Sequence, residues 1–221
     1  MNPLNPNDAA ASDPMPQAAQ AAPEVDATEP APNPAAPRAQ REPAVLTLPD
    51  WKGAGASHWL THWEQQHGLR RVNQHDWQRP LRGDWMMQLQ EAVLTHERCH
   101  LLAHGLAAHL VDAWLRHTQQ ACRVLSVVLV DPIDLNDAET REVLFTWKPM
   151  TPQAWGVPTA VLWKERNPSP ALSACLNAWG VQPLGTGEPV GGGVVGGWAH
   201  LPEYWGEHEG AAQSAEAGHT W

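Results

Sequence analysis

Residues 99–114 read CHLLAHGLAAHLVDAW. Cys99 to Ala103 form an apolar run of the length expected for a buried strand, and His104-Gly105 interrupts it. From Leu106 to Gln120 the apolar residues recur every three or four positions, the period of an amphipathic helix. The segment therefore runs strand, sharp turn, helix, with a glycine at the turn.

The same alternation continues on both sides. Upstream, Ala44 to Leu48 (AVLTL) is an apolar run closed by Pro49 and Asp50, a buried strand followed by a loop. Ser57 is placed to cap a helix with Trp59, Leu60 and Trp63 on one face and Glu64, Gln65 and Gln66 on another. Leu69 to Gln74 reads as a weak strand, and Asp84 as the cap of a helix over WMMQLQEAVL. Downstream come strands over Arg123–Val130 and Val157–Trp163 and a helix over Pro170–Trp179. Continuous β-branched runs separated by amphipathic helices predict an α/β fold, a mostly parallel sheet flanked by helices on both faces. Ligands in such sheets bind at the carboxyl ends of the strands, which directs attention to loops 49–56, 104–106, 131–135, 164–169 and 186–198.

The chain has 221 residues, 21 prolines and 13 tryptophans against one phenylalanine and one tyrosine. Residues 1–44 hold ten of the prolines, thirteen alanines and six acids with few large apolar side chains, too little to offset the entropy of ordering. The expected organisation is a disordered Pro/Ala-rich acidic tail over 1–43, one α/β domain over 44–205 and a flexible tail over 206–221. A net charge of −10 argues against gripping a nucleic-acid backbone or an anionic membrane. Three widely spaced cysteines, Cys99, Cys122 and Cys175, suit a reducing cytoplasm rather than a disulfide framework or a zinc site. The N-terminus shows no secretory signal, and no apolar run is long enough to span a bilayer.

In α/β-hydrolases the strand–turn–helix junction is the nucleophile elbow, where Gly-x-Ser-x-Gly lifts a serine oxygen above the sheet. With VLTLPDWKGAGASHW (45–59) and QHDWQRPLRGDW (74–85), the 99–114 segment resembles the small bacterial serine hydrolases related to retinoblastoma-binding protein nine and the YdeN proteins. The resemblance covers most of residues 45–198, and the spaced Asp-Trp pairs make it specific. It implies the α/β-hydrolase fold and a Ser-Asp-His triad.

The departures fall on the triad. Gly105 occupies the nucleophile position, and a residue without a side chain forms no acyl-enzyme. Where the family carries its acid, Lys164-Glu165-Arg166-Asn167-Pro168 runs from asparagine straight to proline. Asn167 is the nearest residue; an amide orients the histidine in papain-like proteases. With Trp198 in register, Glu188 takes the histidine position, and a solvated glutamate is too weak a base near neutral pH. What survives is an oxyanion-hole scaffold: backbone N–H groups of Leu106 and of the Lys52-Gly53-Ala54 loop, able to receive a small carboxylate, a phosphate or an ester-like ligand.

The sequence therefore predicts a degenerate, catalytically inactive hydrolase homologue with no cofactor and no metal, serving a small-molecule or protein partner. The alternative is an active esterase or amidase with a relocated nucleophile, for which Ser169 is the best loop candidate; Ser57, Ser126 and Cys99 are less exposed to a base. His58 and His62, one helical turn apart, lack a third ligand and read as a solvated helix face; His104 and His109 read as packing histidines. His200, His208 and His219 lie in or near the C-terminal tail. The glycine-rich stretch 185–197 lacks the Gly-Lys-Ser/Thr of a phosphate-binding loop. Trp51, Trp59, Trp63, Trp77, Trp85, Trp114, Trp179 and Trp198 are expected to fill the core in place of Phe and Tyr.

Overall fold

A computed structural model describes residues 42–164, 168–186, 201, 204, 205, 207 and 208. Among the described residues six strands form one sheet: β1 (Ala44–Leu48), β2 (Arg70–Arg71), β3 (Cys99–His104), β4 (Val124–Val130), β5 (Thr159–Trp163) and β6 (Val181–Thr186). Every pairing is parallel, in the order β2-β1-β3-β4-β5-β6. Four helices connect them: α1 (Trp59–His67), α2 (Arg82–Leu94), α3 (Ala107–His117) and α4 (Pro170–Trp179).

Alternation along the strands separates two cores. Leu101, Ala103, Val127, Leu129, Val161 and Trp163 pack with Trp85, Leu110, Trp114, Leu172 and Trp179, from α2, α3 and α4. Their neighbours Leu102, Val128, Val130, Ala160 and Leu162 face the other way, onto Leu60 and Trp63 of α1 with Leu201 and Tyr204. A sheet covered on both faces needs apolar residues at consecutive positions, which is why β4 reads as an unbroken run. Helices thus lie on both faces.

Several boundaries differ from the sequence reading. His58, not Ser57, caps α1, its Nδ1 accepting from the Leu60 N–H at 3.2 Å. Helix α2 starts at Arg82, so Asp84 lies in its first turn, where a carboxylate favours the positive end of the helix dipole without capping it. Helix α3 ends at His117 because Thr118 is extended. Strand β6 has no counterpart in the sequence reading, since Pro183 and Gly185 weaken its signal; it occupies a sheet edge, where a proline is tolerated.

Of the tryptophans expected inside, Trp63, Trp85, Trp114 and Trp179 are buried, and so are Trp147, Trp155 and Trp163. Trp51, Trp59 and Trp77 are partly buried against the two cores, while Trp198 lies outside the described residues. Residues 1–41, the bulk of the expected N-terminal tail, lie outside them as well. Near the other end, Tyr204, Trp205, Glu207 and His208 are helical, the last two of them within the stretch expected as the C-terminal tail.

Candidate functional site

The chain leaves β1 for the edge strand β2 and returns on the other side as β3, so the strand order reverses between β1 and β3. In open parallel sheets such a reversal is the usual place of a ligand crevice, at the carboxyl ends of the two strands. Two turns line it, the one after β1 (Pro49 to Gly53) and the one after β3 (His104 to Leu106).

The second turn has the shape of an elbow. Gly105 takes φ +59°, its N–H donates to the Val130 carbonyl of β4 at 2.9 Å, and α3 begins two residues later. A left-handed φ strains any residue with a side chain, so the backbone keeps a tight strand-to-helix junction while glycine removes the strain.

The space above Gly105 is filled by Asp50. A Cβ built on Gly105 would lie 2.2 Å from Asp50 Cγ and 2.3 and 2.5 Å from its two carboxylate oxygens. The Asp50 carboxylate thus stands where a side chain of residue 105 would begin. Its Oδ1 accepts two backbone hydrogen bonds, from the Leu106 N–H at 2.7 Å and the Trp51 N–H at 2.8 Å. Those amides come from the two turns of the crevice, and one carboxylate oxygen takes both.

This corrects the expected set of amide donors. Leu106 N–H points at the site but is engaged by Asp50. Gly53 N–H does not contribute, because it closes a tight turn by donating to the Asp50 carbonyl at 3.0 Å. That turn places both Lys52 (φ +73°) and Gly53 (φ +77°) in the left-handed region. Ala54 faces α1 and β2 through its carbonyl, which accepts from the Arg71 guanidinium at 2.8 Å. The donor facing Leu106 is Trp51.

Burial pushes the Asp50 carboxyl up from 3.8 to about 6, against the opposing pull of the Leu106 and Trp51 amides and of Lys52. A folded-state value above the unfolded one means that the folded chain holds this proton more tightly. The group's contribution to stability is then complete below pH 3.8 and is lost as pH rises through about 6. Asp50→Asn keeps an acceptor for the two amides without a charge. The variant is expected to match the wild type near pH 4 and to exceed it in urea denaturation at pH 8, by on the order of 2 kcal/mol. A less stable variant at pH 8 would show that the amides hold the charge at a net gain.

Beside the elbow, His104 packs its ring against His58 at 5.5 Å and edge-on against Trp59 at 5.3 Å. Its Nδ1 is buried without a hydrogen-bond partner among the described residues, and burial, with the nearby His58, pushes the imidazole down to about 4. Such a group is neutral and a weak base at pH 7. His58 is half-buried as the α1 cap rather than part of a solvated face, while His62 is exposed. His109 is buried and pairs with the Ile133 carbonyl at 2.8 Å.

Other nucleophile candidates are committed elsewhere. Ser169 caps α4, its Oγ accepting from the Leu172 N–H at 3.2 Å, which explains its place in the loop before Pro170. Ser126 is fully buried and bonded to His100 Nδ1 at 2.8 Å. The Cys99 thiol is pushed up to about 12 by burial, far from a thiolate. Asn167 and Glu188 lie outside the described residues. Among the described residues no cluster of three or more His, Cys, Asp or Glu is arranged for a metal, and no helix is long and apolar enough to cross a membrane.

Two carboxylates at the carboxyl ends of strands carry no signal of their role in the sequence. Asp50 was visible only as a carboxylate at the end of a strand. Asp131, in the named 131–135 loop, takes φ +43° at the end of β4. Its N–H donates to the Leu162 carbonyl at 3.0 Å and its Oδ1 accepts from the Lys164 N–H at 2.5 Å, tying β4 to the chain after β5.

The serine hydrolase family model matches residues 45–179, more than half of the chain. Among solved structures, a protein described as a YdeN-like hydrolase from Pectobacterium atrosepticum superposes with a TM-score of 0.58 at 18% identity, covering 75% of this chain and 91% of that one. The ydeN gene product of B. subtilis gives 0.50 at 18% identity, covering 78% and 99%. At that identity the likeness establishes the fold. No curated protein matches the sequence.

Proposed function

The chain belongs to the serine hydrolase family, and on that premise we propose that it is a degenerate member, inactive by the serine route and acting as a binding or interaction protein. One observation carries the reading: at the strand–helix elbow, Gly105 offers no nucleophile and the Asp50 carboxylate occupies the space a nucleophile would need. Acyl transfer needs an attacking atom there and two amides free for the developing oxyanion. Here the atom is absent and both amides are bonded to Asp50. Asn167 and Glu188, at the expected positions of acid and base, add to the same reading.

The other reading, an esterase or amidase with a relocated nucleophile, finds less support. Ser169 is a helix cap, Ser126 is buried, and desolvation holds the half-buried histidine beside the elbow neutral. Three unpaired cysteines, two of them buried, are consistent with residence in a reducing cytoplasm. The ligand or partner is expected to be a small carboxylate or ester-like molecule, or another protein.

Turnover of p-nitrophenyl acetate and butyrate at pH 8 tests the proposal. Ordinary enzymes turn over at about 1 per second or faster. The expected result is a rate linear in ester with no saturation. Saturable hydrolysis on the order of 1 per second would overturn the reading.

A further inference from the structure

We propose that the paired amides of Trp51 and Leu106 form a carboxylate-binding site whose ligand is supplied within the chain by Asp50, an internal latch that joins the two crevice turns and excludes outside carboxylates. The inference concerns what fills the site and goes beyond the catalytic reading, because its test reads stability and not turnover.

Three observations carry it. One oxygen of Asp50 accepts from both amides, at 2.7 and 2.8 Å, and those amides belong to turns separated by more than fifty residues of chain. The carboxylate fills the space above Gly105 so closely that a Cβ there would overlap three of its atoms. The turn bearing Asp50 is itself held in place: the Gly53 N–H closes it onto the Asp50 carbonyl, and the Lys52 N–H donates to the Trp77 carbonyl at 2.9 Å. The latch is therefore preorganised, and its ordering is completed when the chain folds.

A ligand tethered at the correct distance competes at a high effective concentration, whereas a free carboxylate must give up its translational freedom on binding. With Asp50 seated, a free carboxylate or a substrate carbonyl oxygen finds neither amide available. The charged and titratable groups bearing on Asp50 among the described residues reduce to Lys52, on the same turn. Residue 105 and residue 50 are consequently coupled: glycine at 105 makes room for the latch, and the latch leaves no room for a side chain at 105.

The test removes the latch and supplies its chemistry from solution. Asp50→Gly and the wild type are melted at pH 5.5 in acetate or formate and in chloride of equal ionic strength. The expected result is a lower Tm for Asp50→Gly that rises saturably with acetate and formate, and a wild type that responds equally to all three salts. Asp50→Asn, which retains an acceptor oxygen at the amides, is expected to behave as the wild type. A folded Asp50→Gly with no carboxylate-specific response, or a wild type with the same response, would overturn the proposal.

Should Asp50→Gly not fold, wild-type NMR decides the matter. The Trp51 and Leu106 amide proton shifts are expected to titrate together, with the midpoint of the Asp50 carboxyl carbon. Amides that do not follow that titration would overturn the proposal.

Discussion

Replacing Gly105 by serine is expected to yield a less stable protein with no ester turnover. Two costs add. The residue sits at φ +59°, where a side chain costs about 1–2 kcal/mol. Its Cβ would also lie 2.2 Å from Asp50 Cγ, so the carboxylate must move, and forcing atoms into an occupied site typically costs about 1–3 kcal/mol more. A loss of about 2–5 kcal/mol in urea denaturation follows from those ranges.

Activity is not expected to return, because the family resemblance puts Glu188 and Asn167 where the base and acid would stand. In the subtilisin triad, removing the serine or the histidine alone costs about as much as removing all three members, about a millionfold. Asp50→Gly combined with Gly105→Ser is expected to recover the part of the stability loss due to overlap and to leave turnover absent. If Gly105→Ser alone hydrolyses esters efficiently, the histidine position has been misassigned. If its stability equals that of the wild type, Asp50 does not occupy the elbow.

The second large effect is expected at Trp85. Its ring is 1% exposed, edge-on to Trp77 at 5.5 Å and to Trp147 at 5.6 Å, and its Nε1 donates to the Asp76 carbonyl at 3.2 Å. Trp147 in turn donates to the Pro80 carbonyl at 2.7 Å, which binds the chain after β4 to the start of α2. Truncating such a residue to alanine removes its transfer free energy and leaves a cavity, about 3–5 kcal/mol together. For a domain of this size that is a fall in Tm on the order of 10 °C.

The consequence extends to the site. Trp77, which rests on Trp85, supports the turn through its carbonyl bond to Lys52 and through its ring, 3.3 Å from a Cβ built on Gly53. Hydrogen exchange at the Leu106 amide is therefore expected to quicken in Trp85→Ala and to change little in Trp85→Phe. A loss under about 1 kcal/mol would mean that the tryptophan cluster fills space without bracing the turn.

Much of the fold was legible in the sequence because its elements are long or continuous. The β4 run VLSVVLV is buried at every position, and Pro170 to Trp179 begins with a serine cap and a proline and ends before a glycine, so both matched the observed bounds closely. The β6 strand was hidden because Pro183 and Gly185 erase the pattern that marks a strand, while its edge position tolerates both. The α1 cap moved by one residue because His58 Nδ1 does the work expected of the Ser57 hydroxyl.

The site divides in the same way. Gly105 at the elbow follows from the strand–turn–helix segment together with the family resemblance that the segment carries. The partner of its empty side could not be read, because Asp50 and Leu106 are brought together by the parallel pairing of β1 with β3 across 56 positions of chain. Pattern within either segment contains no trace of that pairing. The engagement of the Gly53 N–H is hidden for a related reason: a backbone N–H looks available until the turn that consumes it is known.

On the proposed reading this hydrolase scaffold encloses a centre with no serine nucleophile. Incubation of the 221-residue chain with excess fluorophosphonate, followed by intact mass spectrometry, decides the point, with an active serine hydrolase as the labelling control. The mass is expected to stay unchanged under conditions in which the control is fully modified. A stoichiometric single adduct on any serine would contradict it.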